Sequence, residues 1–164
     1  MPMFIGMKID EISTSIIRQW LLKCQGTGLQ DPLKPQFIYI PIAYSHRTEE
    51  QEDENLRREL LGQIQGPLKL DNCCVRRLGE TGNVSLVFRS LYLQERNKFW
   101  VSKCRKFRKH QPYIPRIPMS HSSNYLSFNW TKSLNIREVT LVEEFSTTFD
   151  RTQFLREVEK SNGD

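Results

Sequence analysis

Phe37-Ile38-Tyr39-Ile40-Pro41-Ile42-Ala43-Tyr44-Ser45 and Tyr113-Ile114-Pro115-Arg116-Ile117-Pro118-Met119-Ser120 read as variants of one pattern. Each is a β-like run in which a polar residue, Tyr39 or Arg116, is followed two positions later by proline, Pro41 or Pro118. Side chains alternate along a strand, so each polar residue shares a face with its proline. A face used twice predicts a duplicated, two-lobed site, with Tyr39 and Arg116 on central, neighbouring strands looking into one concavity.

Downstream of the first run, the acidic block Glu49-Glu50-Gln51-Glu52-Asp53-Glu54 leads into Leu56, Leu60, Leu61 and Ile64 at helical spacing, and another helical pattern precedes the second run. This order resembles the two-histidine (2H) phosphoesterase superfamily, whose two lobes each offer a strand bearing His-x-Thr or His-x-Ser. The resemblance is closest to phage anti-CBASS enzymes, cyclic-oligonucleotide phosphodiesterases with motifs roughly of the form H-I-T-I-A-Y-S and Y-x-P-H-I-T-I-S. On this chain the histidines fall on Tyr39 and Arg116 and the threonines on Pro41 and Pro118. Flanking words add support: Ile42-Ala43-Tyr44-Ser45, Tyr113-Ile114-Pro115, Leu78-Gly79 and the run from Val139 to Phe145, within a span of roughly residues 7–148. The resemblance implies an α+β fold of two antiparallel sheets forming a concave cleft with helices outside, one domain over residues 1–164.

The changed motifs bear on chemistry. In an active pair one imidazole takes a proton from the attacking oxygen and the other gives one to the leaving oxygen, while the threonine hydroxyls hold the phosphate. A phenol that ordinarily titrates near 10 and a guanidinium that titrates above 12 do not readily exchange such protons at neutral pH. General acid–base catalysis contributes about a hundred- to ten-thousand-fold per group, so losing both costs several orders of magnitude. Proline further removes each hydroxyl and a backbone donor. Binding responds differently, because arginine offers a fork of donors to phosphate oxygens and tyrosine a hydroxyl and a stacking ring. The expected ligand contacts are Tyr39, Arg116, Tyr44, Tyr113, Lys106 and Lys109, and the expected role is binding and sequestering a cyclic oligonucleotide or related phosphodiester. For a viral chain this reads as counter-defence.

A rival register uses literal motifs. His46-Arg47-Thr48 and His121-Ser122-Ser123 are His-x-Thr and His-x-Ser, 75 positions apart. They define the alternative of a metal-independent phosphodiesterase with His46, Thr48, His121 and Ser123 at its centre. Against it, both histidines lie an odd number of positions from Tyr39 and Arg116, hence on the opposite face of a regular strand. Thr48 also suits a helix cap. A third reading is a nucleic-acid-binding or protein-interaction domain with a closed cleft, favoured by the basic stretch Arg96, Lys98, Lys103, Arg105, Lys106, Arg108 and Lys109.

With 164 residues, 38% of them hydrophobic and 26% charged, the chain is long enough for a core and too apolar for disorder. No apolar run approaches the roughly 20 residues of a membrane span, and Met1–Met7 lacks the pattern of a secretory signal. Cys24, Cys73, Cys74 and Cys104 show no C-x-x-C spacing and suit reduced thiols, so the expected location is cytoplasmic. No metal-ligand spacing, Walker-type loop or nucleophile elbow occurs, and no cofactor is expected.

Periodicity predicts a helix over 8–24 on Ile12, Ile16 and Trp20 with Ile17, Leu21 and Cys24 beside them, the first motif strand over 36–45, and a helix over 49–64. A hairpin follows, 68–78 with 84–89, then a helix over 91–108 and the second motif strand over 113–120. Strands over 125–130 and 139–145 and a terminal helix over 151–160 complete the order.

Overall fold

The computed structural model describes residues 3–23, 38–45, 51–62, 64–78, 83–103, 113–121 and 134–148. They form β1 (Met3–Ile9), α1 (Glu11–Lys23), β2 (Tyr39–Ser45), α2 (Gln51–Leu60), β3 (Pro67–Lys69), β4 (Asp71–Leu78), β5 (Asn83–Arg89), α3 (Leu91–Lys103), β6 (Arg116–His121) and β7 (Glu138–Thr148). Two antiparallel sheets result, ordered β2-β1-β7-β3 and β4-β5-β6. The expected α+β class and two-sheet architecture are what the chain adopts. The expected strands over 125–130 and helix over 151–160 lie outside the described residues.

The duplication extends well beyond the motif words. β1-α1-β2 and β5-α3-β6 are the same unit: a strand, a capping residue, a 13-residue helix, and an antiparallel return. Asp10 caps α1 by accepting from the Ser13 amide at 3.0 Å, and Ser90 caps α3 by accepting from the Leu93 amide at 3.2 Å. Asp10 also accepts from the Thr140 amide at 2.8 Å, tying helix start to β7. These hydrogen bonds hold its carboxyl below the usual range although burial alone pushes the other way.

Tyr39 and Arg116 were expected on central strands. Instead β2 and β6 are each the edge of their own sheet, and the two edges face one another at the seam between lobes. That correction explains the prolines. An edge strand tolerates a missing N–H, and in each motif strand the register slips beside its proline. Ile5 pairs with Ala43 and Gly6 with Pro41, leaving Ile42 as the extra residue; Val84 pairs with Ser120 and Ser85 with Pro118, leaving Met119. Both motif strands therefore carry one β-bulge at the equivalent place.

Ile40, Ile42, Ile117 and Met119 turn into the core with Ile5, Met7, Val84, Leu86, Leu93 and Trp100, all fully buried. On α1 the buried positions are Ser13, Ile17, Trp20 and Leu21, spaced as one helical face, whereas Ile12 is 75% and Ile16 39% exposed. The stripe is thus one residue round from the one expected on Ile12 and Ile16. The single strand expected over 68–78 is divided: β3 pairs with β7 in one sheet and β4 with β5 in the other. Asn72, left-handed at φ 51°, lies within the irregularity between Asp71 and Cys74 where the chain changes lobe. β1 has no counterpart in the sequence reading because an inner strand buried on both faces shows no alternation.

Candidate functional site

The seam is stitched at the β2 bulge. The Tyr113 hydroxyl, just ahead of β6, donates across it to the Pro41 carbonyl at 2.7 Å, and Asn97 of α3 donates to the Ile42 carbonyl at 2.7 Å. Arg116 donates to the Ile114 carbonyl at 3.0 Å. Its charge acts on both Tyr39 and Tyr113, so the three side chains form one electrostatic group where the lobes meet. Burial pushes the Tyr39 phenol up to about 12, opposed by Arg116, and pushes Tyr113 up further. Burial also lowers Arg116, with the tyrosines opposing. At neutral pH the phenols are therefore protonated donors and the guanidinium stays a cation. Among the described residues no carboxylate pairs with Arg116.

Register sorts the two strand faces that carry Tyr39 and Arg116. In the first lobe Gly6 lies between Pro41 and Phe145, and Tyr39 sits opposite Lys8. The rings of Phe4, Tyr39 and Phe145 cluster there, with centroids 4.7 Å apart for Phe4–Tyr39, 5.9 Å for Phe4–Phe145 and 6.1 Å for Tyr39–Phe145. In the second lobe Ser85 lies between Pro118 and Arg76, and Arg116 sits opposite Val87. The first face is aromatic and the second is polar and cationic.

No protein-family model matches the chain, and no curated protein matches it in sequence. Solved structures do match. E. coli LigT complexed with ATP superposes with a TM-score of 0.67 at 16% identity, covering 92% of this chain and 89% of that one. A phosphoesterase gives 0.65 at 16% identity over 90% of this chain and 98% of that one. TT0787 of Thermus thermophilus gives 0.58 at 11% identity, covering 90% of this chain and 84% of that one. The fold is that of the 2H phosphoesterases. In this 2H-type fold the two motif strands meet at the seam, where the sequence placed a shared cleft.

Of the residues singled out from sequence, Tyr39, Tyr113 and Arg116 come together. Tyr44 lies further along β2, opposite Phe4. His46, Thr48, Lys106, Lys109 and Ser123 fall outside the described residues. His121 is the last residue of β6, its backbone paired with Asn83. The bulge at Met119 corrects the parity expected for it: Asn83, Ser85 and Val87 alternate regularly on β5, so the register position of His121 is that of Pro118 and Arg116.

The basic stretch is also divided. Arg96 forms a bidentate ion pair with Glu144, which also accepts the Gly62 amide at 3.0 Å, and stacks 4.7 Å from the Phe99 ring centroid. This arginine is part-buried and held by the buried Glu144. Phe4, Phe145, Arg76 and Ser85 were missed, because their membership depends on which strands flank β1 and β5. Among the described residues no helix is long and apolar enough to cross a membrane, and no three His, Cys, Asp or Glu side chains cluster as metal ligands.

Proposed function

We propose that the chain binds a nucleotidic phosphodiester at the seam and holds it without cleaving it. The observation that carries this reading is Arg116: a half-buried guanidinium with no carboxylate partner among the described residues, beside two phenols that stay protonated. A cation partly withdrawn from water without a counter-ion suits an anionic guest, and a phosphate offers its fork two oxygens. The likeness to a LigT structure complexed with 3'-AMP, at a TM-score of 0.62 and 14% identity, agrees with a nucleotide as that guest. In this reading Tyr39 and Arg116 stand where the 2H motifs have histidine, and Pro41 and Pro118 where they have threonine. The guest is a cyclic di- or trinucleotide messenger, and sequestering it is a counter-defence act of a phage protein.

The test is a panel of cyclic oligonucleotides incubated with the protein and assayed for cleavage and for intact release after heat denaturation. Stoichiometric uptake with unaltered release supports the binder. Turnover of many equivalents sinks it. The register of His121 favours a second reading, a phosphodiesterase using His46 and His121, and this reading requires that His46→Ala and His121→Ala each abolish turnover in a folded protein.

A further inference from the structure

Ser85 is 1% exposed, and its hydroxyl has no hydrogen-bond partner among the described residues. An orphan buried hydroxyl costs on the order of 1–3 kcal/mol, and native proteins retain few of them. By strand alternation it lies on the face of β5 opposite Val84 and Leu86, which enter the core. Directly across the ladder on β4 is Arg76, exposed, and on the other side is Pro118, with Arg116 two positions along β6. Directly opposed residues have Cβ atoms about 5 Å apart and diagonal ones about 7–8 Å, within the span of an arginine side chain. Two arginine positions thus flank the Ser85 position in the ladder, next to the proline that supplies no hydroxyl.

We propose that Arg76, Ser85 and Arg116 form a phosphate cradle on the second lobe, and that the Phe4–Tyr39–Phe145 cluster of the first lobe takes the attached base. This gives a bound nucleotide one direction across the seam. The inference rests on the seam reading above and adds to it two residues and a polarity. Ser85 is covered in the free protein, so its contact with a phosphate requires the side chains around it to move aside.

The experiment is calorimetric titration of the full chain with AMP, adenosine and inorganic phosphate. Arg76→Ala and Ser85→Ala are expected to weaken AMP by about tenfold or more, a change of about 1.4 kcal/mol, and to leave adenosine unchanged. Phe145→Ala is expected to weaken AMP and adenosine but not phosphate. Ser85→Ala should keep or raise the melting temperature, which separates a ligand contact from a structural one. Arg18→Ala, an exposed arginine on α1, controls for diffuse charge. Equal losses from Arg18→Ala and Arg76→Ala, or AMP affinities within about twofold of the parent for both Arg76→Ala and Ser85→Ala, overturn the cradle. If cyclic oligonucleotides bind and Arg116→Ala releases them while those two variants stay silent, only the cradle falls. If the parent protein takes up no nucleotide of any kind, the seam reading falls with it.

Discussion

Gly6 and Ser85 hold the same place in the two lobes, on an inner strand opposite the motif proline, yet one is crowded and the other has no hydrogen-bond partner among the described residues. A Cβ on Gly6 would stand 2.5 and 2.9 Å from atoms of the Phe4 ring and 3.0 Å from Phe145. The first lobe fills its floor with rings. At Ser85 the second lobe leaves a hydroxyl without a hydrogen-bond partner among the described residues, with Arg76 and Arg116 at nearby ladder positions. A duplicated backbone thus carries two chemistries, and the difference lies in the strands that flank the motif rather than in the motif words.

Arginines sharpen this contrast most. Arg96 is part-buried and paired with the buried Glu144; Arg116 faces the seam and has no carboxylate partner among the described residues. Removing one partner of a buried ion pair leaves the other charge stranded, so Arg96→Ala should cost about 3–5 kcal/mol in urea unfolding. Replacing Arg96 and Glu144 together by methionine should recover most of that loss. Arg116→Ala should instead leave the unfolding midpoint nearly unchanged and weaken a bound phosphodiester by about 1.5–3 kcal/mol, read by titration. A large stability loss from Arg116→Ala would make it a second structural arginine and dissolve the contrast.

The equivalent small residues give the next effect. Gly6→Ala forces the Phe4 and Phe145 rings apart, and such overpacking costs about 1–3 kcal/mol. Ser85→Ala removes an orphan hydroxyl and should be neutral or stabilising. Equal thermal shifts for the pair would mean that the two floors are packed alike.

The sequence disclosed the motif strands and the two-lobed plan, because Tyr39-x-Pro41 and Arg116-x-Pro118 are local patterns on short runs. It did not disclose which residues share their face. Ile42 and Met119 each insert one residue into the ladder, and a period-two count has no means of registering that; the parity drawn for His121 failed for this reason. The roles of Arg76 and Phe145 depend on β4 and β7 flanking the inner strands, a long-range pairing that no window of sequence contains. Arg96 and Lys103 look alike in a basic run, and only the buried Glu144 of β7 tells them apart.

The smallest expected effect is a flat pH profile, and it decides between the registers. Burial pushes the Tyr39 phenol up to about 12 and raises Tyr113 as well, with Arg116 opposing both, while an arginine lowered by burial is still a cation at neutral pH. Affinity for a phosphodiester should therefore stay constant from about pH 5 to about pH 9, where neither phenol nor guanidinium changes charge. Above that range the sign is set by linkage. The folded phenols have pKa values above the unfolded value of about 10, so the unfolded chain loses its protons first. Their contribution to stability is whole below pH of about 10 and declines as pH climbs toward the folded value. A seam run by imidazoles would behave otherwise, with a step in binding or turnover near pH of about 6.5. A titration of affinity against pH that shows such a step, and loses it in His121→Ala, would move the working site from Arg116 to the histidine at the far end of β6.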